Sequence, residues 1–259
     1  MNNELEIAKI IENSFFLLPE LSASAKPLTI PGVRGWVSPL AHPMTNRAGP
    51  LHADDSERAF RQTQSFFAEQ GKGFTWVVGS SLGIVDLKEK MLAAGMAATC
   101  EISGMSLLDL AIRPEIAPGV RIEEVDALVM AEMTGMMAKM FGVSEEIARI
   151  LFLETFAPQQ KAIRSRVYLA RLEKENRIVA FAHTLYLANS PIVLLRVAAV
   201  EPGYRGRGIY KSLVATRWAD ARKDGAQGAI IHAVTGVTAP ICAKLGFVTS
   251  CNLWLYHSI

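Results

Sequence analysis

The chain of 259 residues is poor in cysteine, and what it has is unpaired in pattern. Cys100, Cys242 and Cys251 are odd in number and form no CxxC, which argues against a disulfide scaffold and for a reducing compartment. No apolar run reaches the roughly 20 residues that a membrane helix needs. The opening stretch "MNNELEIAK" carries Glu4 and Glu6 where a secretory signal is basic. A cytoplasmic protein with no membrane partner is therefore expected. The five histidines are scattered at spacings that do not suit ligation, so no metal is expected. Aromatics are not interleaved with basic residues, so no nucleic-acid partner is expected either. Short-period repeats are absent.

Hydrophobic residues, by contrast, make up 50% of the chain. That supports a sizeable core and excludes wholesale disorder, and the length suits one large or two modest domains. The net charge of +2 hides an asymmetry. Residues 1–115 hold 10 basic and 13 acidic residues, a balance of −3; residues 116–259 hold 17 and 12, a balance of +5. A basic second half suits an anionic ligand.

Leu5, Ala8, Ile11, Phe15 and Phe16 recur at helical period and predict a first helix. Prolines 19, 27 and 31 end that pattern. Asp54, Asp55 and Ser56 are helix-start residues before the amphipathic run "ERAFRQTQSFFAEQ", which stops at Gly71. "FTWVVG" reads as a buried strand, "IVDLKEKMLAAGM" as a helix, and "ATCEISGMSLLDL" as two strands. The proline-containing connector "RPEIAPGV", residues 113–120, places a boundary between domains 1–116 and 117–259. The pattern then restarts with a strand, "VRIEEV", and two helices, "DALVMAEMTGMMAKMFG" and "EEIARILFLETF". The methionines at 130, 133, 136, 137 and 140 have helical spacing and are read as core. Three β-rich runs follow, "RVYLARLE", "RIVAFAHTLYLA" and "PIVLLRVAAV". The end of the chain reads as a helix, a strand "GAIIHAV", a short helix "TAPICAKLG", and one or two closing strands. The fold class is α/β in the α+β sense, a mixed sheet flanked by helices.

The chemistry is concentrated in "VAAVEPGYRGRGIYKSLV", which runs from a strand through a basic turn into a helix. Gly206 and Gly208 let an anion approach the backbone closely at a helix N-terminus. The amides there are unpaired, and the helix dipole adds positive character. Arg205 and Arg207 add charge that grips phosphate. The dinucleotide fingerprint G-x-G-x-x-G is not met, since Lys211 stands at its third glycine, and no GK[ST] ending marks a P-loop. From these residues alone, a phosphate cradle and a purely structural turn both stay open.

The stretch resembles the acetyl-CoA-binding motif of the GCN5-related N-acetyltransferases (GNAT), matched at Val200, Pro202, Arg205, Gly206, Gly208 and Ile209. "KLGF" at residues 244–247 is similar to that family's ending, and the order of elements over residues 118–259 follows the family. The first half resembles the degenerate N-terminal half of tandem members and has no glycine-rich phosphate turn. The resemblance implies a mostly antiparallel sheet, two GNAT-like halves, and acetyl-CoA or another acyl-CoA as co-substrate. It implies that the strand before the motif splays at a bulge, with the cofactor arm along Ala198, Ala199 and Val200. The pyrophosphate would sit on the amides of Arg205, Gly206, Arg207, Gly208, Ile209, Tyr210 and Lys211.

The activity implied is direct transfer of acetyl to a small-molecule or peptide amine, with a homodimer left open. A tyrosine usually supplies the proton to the departing thiolate; Cys242 stands at that position and is the catalytic candidate. The carboxylate common on the strand before the motif is absent, and Arg196 stands there instead. Tyr210 replaces a small residue, and its ring is expected to point away along the helix, its hydroxyl near solvent or the other half. His183, Tyr186, His232, Tyr256 and His257 are substitute acid–base groups. The alternative is an acyl-CoA-binding protein with little or no turnover, a sensor or pseudoenzyme.

Overall fold

The computed structural model describes the whole chain except Met1, Asp55, Val85, residues 109–114, 127–128 and 159–162, and Ile259, and except the side chains of Asn2 and Asn3. Asp55 of the expected helix start and residues 113–114 of the expected connector thus lie outside the described residues. The chain divides into two compact units, residues 1–104 with 249–259, and residues 105–248. No described helix is long and apolar enough to cross a membrane.

The first unit runs α1 (Asn2–Ser14), α2 (Leu18–Leu21), β1 (Lys26–Pro27), β2 (Val33–Val37), β3 (Arg47–Pro50), α3 (Ser56–Glu69), β4 (Thr75–Gly79), α4 (Leu87–Ala93) and β5 (Met96–Leu108). Helix α3 forms where the apolar spacing predicts it and buries Ala59, Phe60, Thr63 and Phe67 along one stripe. That stripe packs with Trp76 and Val78 of β4, and Phe67 stacks on Phe74 at 4.9 Å between ring centroids. Strand β4 is buried throughout. "ATCEISGMSLLDL" gives one 13-residue strand rather than two. Its glycine, Gly104, does not turn the chain; a Cβ there would press on Cys251 and Ile11, so glycine permits close packing instead.

The second unit takes over in the last residues of β5 and continues with β6 (Val120–Val125), α5 (Thr134–Phe141), α6 (Glu145–Leu151), β7 (Arg164–Leu172), β8 (Arg177–Tyr186), β9 (Ile192–Val200), α7 (Ile209–Lys223), β10 (Gly228–Val234) and α8 (Ala239–Ala243). Ser144 caps α6 by accepting from the Ile147 amide at 3.3 Å. Strands β6, β7, β8 and β9 form an antiparallel run, and the order continues through β10 to the end of β5. Helix α7 buries Val214, Trp218 and Ala221 against Val193 and Leu195 of β9 and Ile231 of β10, and Leu213 against Tyr168 of β7 and Val179 of β8. Met130, Met137 and Met140 are buried, as a core stripe requires, while Met133 and Met136 are half-buried.

The closing strand β11 (Val248–Ser258) is a single strand, and it separates these units from the expected division at 116/117. It pairs antiparallel with β4, from Leu253↔Gly79 to His257↔Thr75, and so belongs to the first unit. Cys251 and Leu253 lie on one of its faces and Tyr256 on the other, and all three are buried. A strand that follows "KLGF" in sequence gives no local sign of so distant a partner. The fold is mixed α/β, mostly antiparallel, with helices flanking the strands.

Candidate functional site

Strand β9 lies at the centre of the candidate site. On one edge it pairs with β8, and the register shifts between Ala182↔Ala198 and Thr184↔Leu195. One residue of β8, His183, therefore stands against two of β9, Arg196 and Val197, which is a β-bulge. On its other edge β9 pairs parallel with β10 over only three positions, Ile192 to Leu194 with Gly228 to Ile230. Beyond these, among the described residues, the two strands run on without pairing to each other, β9 to Val200 and β10 to Val234. The result is a fork whose open edge, Leu195 to Val200, is about 20 Å long at ordinary strand rise. Ala198, Ala199 and Val200 lie on this edge, the first half-buried and the other two buried.

The basic turn follows β9 directly. Pro202–Tyr204 form a 3₁₀ turn, and Gly206 (φ +76°) and Gly208 (φ +81°) adopt the left-handed region, with Gly208 as N-cap of α7. Among the described residues, no acceptor meets the backbone amides of Gly206, Arg207, Gly208, Ile209, Tyr210 or Lys211. A Cβ on Gly203 or Gly206 would meet no atom within 4 Å, and one on Gly208 only the Ala117 methyl at 3.7 Å. The cradle is thus open to a ligand, lined by N–H groups, and placed where the α7 dipole favours an anion.

Two of the turn's cations are tied to its backbone. Arg205 Nε donates to the Val200 carbonyl at 3.1 Å. Arg207 Nη2 donates to the Gly203 carbonyl at 3.3 Å, and its guanidinium lies 5.0 Å from the Tyr204 ring centroid. Lys211 pairs with Glu115 at 3.2 Å on the surface. Ile209 is buried beneath the turn with Ala117 and Leu213, and the Ser212 hydroxyl accepts from the Ala117 amide at 2.9 Å. These contacts hold the cradle rigidly. Its donor set fits a pyrophosphate.

Tyr210 departs from expectation. Its ring does not point away: the phenol oxygen lies 3.9 Å from the Cys242 sulfur on α8. Apolar contacts draw it there, since Tyr210 packs on the cluster that holds Trp218, Ala239 and Cys242. Burial first, and then the thiol, push the phenol well above its ordinary pKa. Cys242 is fully buried, and burial raises its thiol against smaller opposing pulls from Tyr210 and Arg217. Cys242 thus keeps its proton but has no exposed surface of its own.

Of the other candidates, His183 is fully buried, its Nε2 lies 2.7 Å from Ser165 Oγ, and its Nδ1 has no partner. The Tyr186 hydroxyl donates to Asp224 within a surface cluster that also holds Arg164 and Arg166. His232 is half-buried on β10, whereas Tyr256 and His257 belong to the first unit. Sequence reasoning missed Arg217, a wholly buried arginine on α7 that donates to the Leu213 and His183 carbonyls. Its place among Leu213, Val214, Trp218 and Ala221, on the apolar stripe of the helix, was the available signal.

The first unit also has a strand, a turn and a helix, from β4 through Gly79–Gly83 to α4. An anion of the protein's own fills that turn. Buried Glu12 accepts from the Ser81 amide at 3.0 Å and from the Ser81 hydroxyl. Two open cavities, about 510 and 680 Å³, also lie in this unit, walled by Trp254 and Tyr256 in one case and Phe60 and Trp76 in the other.

No protein-family model matches the sequence, and no curated protein matches it. Solved structures do match. A GCN5-related N-acetyltransferase from Kribbella flavida superimposes with a TM-score of 0.70 at 15% identity, over 97% of this chain and 95% of that one. The chain has the GNAT fold. A GCN5-related N-acetyltransferase from Sphaerobacter thermophilus gives 0.67 at 12% identity, over 87% of this chain and 76% of the other. A tandem GNAT protein from the clavulanic acid biosynthesis pathway gives 0.62 at 10% identity, over 97% and 86%. The stretches covered by the likeness include residues of both units.

Proposed function

We propose that the chain is an acyl-CoA-dependent N-acyltransferase that moves acetyl from acetyl-CoA to a small-molecule or peptide amine. The observation that carries this reading is the open β9–β10 fork followed directly by six acceptor-free amides. Acetyl-CoA, when bound, supplies a thioester: the amine nitrogen bonds its carbonyl carbon, the C–S bond breaks with the electron pair on sulfur, and sulfur takes up a proton as the nitrogen loses one. The residues of this chain bind, orient and protonate. The amides of residues 206–211 hold a pyrophosphate, while the expected Arg205 amide donates to the Pro202 carbonyl at 3.3 Å; the Arg205, Arg207 and Lys211 side chains stand around them. Ala198, Ala199 and Val200 present a strand edge that an extended, amide-bearing arm can join. Cys242, with the Tyr210 phenol beside it, is the protic group at α8.

A second reading, acyl-CoA binding without turnover, draws on two observations. Neither strand of the fork carries a carboxylate, Arg196 and His232 being their ionisable residues, and Cys242 is fully buried. Two measurements separate the readings. Acetyl-CoA should raise the Tm by mass action, and Gly208→Asp should remove that rise while the variant stays folded. No rise in the wild-type protein sinks both readings. Free-thiol release from acetyl-CoA over a panel of amines then separates enzyme from binder; release no faster than without amine favours the binder.

A further inference from the structure

The fork closes at the Leu194↔Ile230 pair, and Arg196 lies two residues beyond, within the bulge. An arm that starts at the cradle after Val200 and follows the open edge of β9 brings its reacting end to this closed end. The Arg196 side chain does not stay with the α7 core. It reaches the segment of α6 and the turn after it, where Nη1 donates to Thr155 Oγ1 at 2.7 Å and Nη2 to the Leu151 carbonyl at 3.0 Å. Both acceptors are neutral. Among the described residues Arg196 makes no ion pair, although eleven other arginines and lysines of this unit or the first find a carboxylate. His183, opposite Arg196 in the bulge, is held neutral by burial and by the two cations Arg196 and Arg217. Taking a guanidinium out of water without a counter-charge is unfavourable, and burial pulls Arg196 down to about 10. A neutral side chain would tie β9 to Thr155 and Leu151 without that cost. Arg196 is also only half-buried, and its bonds to Thr155 and Leu151 use two of its five N–H donors.

We propose that Arg196 is the carboxylate-recognising residue of the acceptor site, and that the acceptor is an amino-acid-like amine carrying a free carboxylate. Arg196 matches a carboxylate with two parallel N–H groups. It also disfavours a second cation beside it, so an amine held there by its carboxylate is biased toward the neutral, nucleophilic form. The assignment rests on the acyltransferase reading for the word acceptor, but the anion site itself does not.

The test uses the full chain as wild type, Arg196→Met and Arg196→Lys. In the presence of CoA, the arginine Nε–H NMR signals are followed while N-acetylglycine, N-acetyl-L-leucine or N-acetyl-L-aspartate is added, each against its C-terminal amide. The Arg196 signal, identified by its loss in Arg196→Met, should move with the carboxylates and not with the amides. Transfer from acetyl-CoA is then compared between free amino acids and their C-terminal amides. The amides are the less basic amines, so intrinsic protonation favours them, yet the acids should show a kcat/KM at least about 10-fold higher. That preference should vanish in Arg196→Met and return in part in Arg196→Lys, with the acetyl-CoA-induced Tm rise unchanged in all three. A merely structural Arg196 would lower activity on acids and amides alike. An Arg196 signal indifferent to every carboxylate, while acetyl-CoA still raises the Tm, overturns the acceptor assignment and leaves the acyltransferase reading in place. Loss of the Tm rise in the wild type overturns that reading instead, and the NMR signal still decides the anion site.

Discussion

The Tyr210 phenol, from the first turn of α7, meets the Cys242 thiol on α8 at 3.9 Å. Burial raises both groups, so both stay protonated through the neutral range. The pair is two neutral protic groups, with the thiol sealed and only the tyrosine partly exposed. Thiol chemistry should show this. Cys251 is buried and pushed up to about 12, and only Cys100 has accessible surface. An aromatic disulfide reagent at pH 8 should therefore label at most one thiol in the native protein, slowly, and all three in denaturant. Cys100→Ser should abolish the native signal; rapid labelling that survives this change would show that α8 opens. If the pair donates the proton to the departing thiolate, Tyr210→Phe should lower kcat by about 10²-fold with little change in KM.

The two glycines with positive φ set a second expectation. Gly206 and Gly208 sit at φ +76° and +81°, and added methyl groups there meet no clash. The cost of alanine is then conformational alone, about 1–2 kcal/mol at each. Gly203 lacks positive φ and also faces open space, so Gly203→Ala should be near neutral. Urea unfolding of the three variants checks the order. A Gly203 variant as destabilised as the other two would mean that the turn is constrained by something other than backbone conformation.

The strand–turn–helix junction was legible in the sequence because its physics is local. Gly206 and Gly208 mark a left-handed turn within a few residues, and the strand before it is a plain apolar run. The bulge and fork agree with the resemblance and also stand on the observed register. What the sequence did not disclose is non-local. The pairing of β11 with β4 joins residues far apart in the chain, and nothing in "TSCNLWLYHS" names its partner. The direction of the Tyr210 ring depends on a gap beside Cys242 that only the packing of α7 on α8 defines. Arg217 was hidden because a charged residue on a helix reads as a solvent face until the apolar neighbours on its stripe are counted.

Glu12 gives a stability test confined to the first unit. Its carboxylate accepts two hydrogen bonds from Ser81 and lies 3.8 Å from the Arg34 guanidinium. Glu12→Gln keeps the shape but turns an NH₂ toward one of those donors and leaves Arg34 without its counter-charge. The expected loss is about 2–3 kcal/mol in urea unfolding. Gly79→Ala should be worse, because a Cβ there would lie 2.1 Å from the Glu12 side-chain carbon. Neither change should alter the Tm increment caused by acetyl-CoA, if both variants remain folded. A loss of that increment would place the cofactor's dependence on the first unit.

His183 makes the stability of the second unit pH-dependent in a defined direction. Burial above all, and then Arg196 and Arg217, hold its pKa well below the ordinary 6.5. The folded protein therefore keeps the imidazole neutral, bonded to Ser165, at pH values where the unfolded chain takes up a proton. The unfolded state binds more protons below pH 6.5, so stability rises with pH there and is flat above it. The contribution is complete above 6.5 and falls by up to about 1.4 kcal/mol for each pH unit below it. His257, also lowered chiefly by burial, adds a slope of the same sign from the first unit. Unfolding free energies measured between pH 5.5 and 7.5 should show this fall in the wild type and a shallower one in His183→Gln. A wild type equally stable across that range would mean that the buried imidazole accepts its proton in place, with Ser165 or solvent able to meet it.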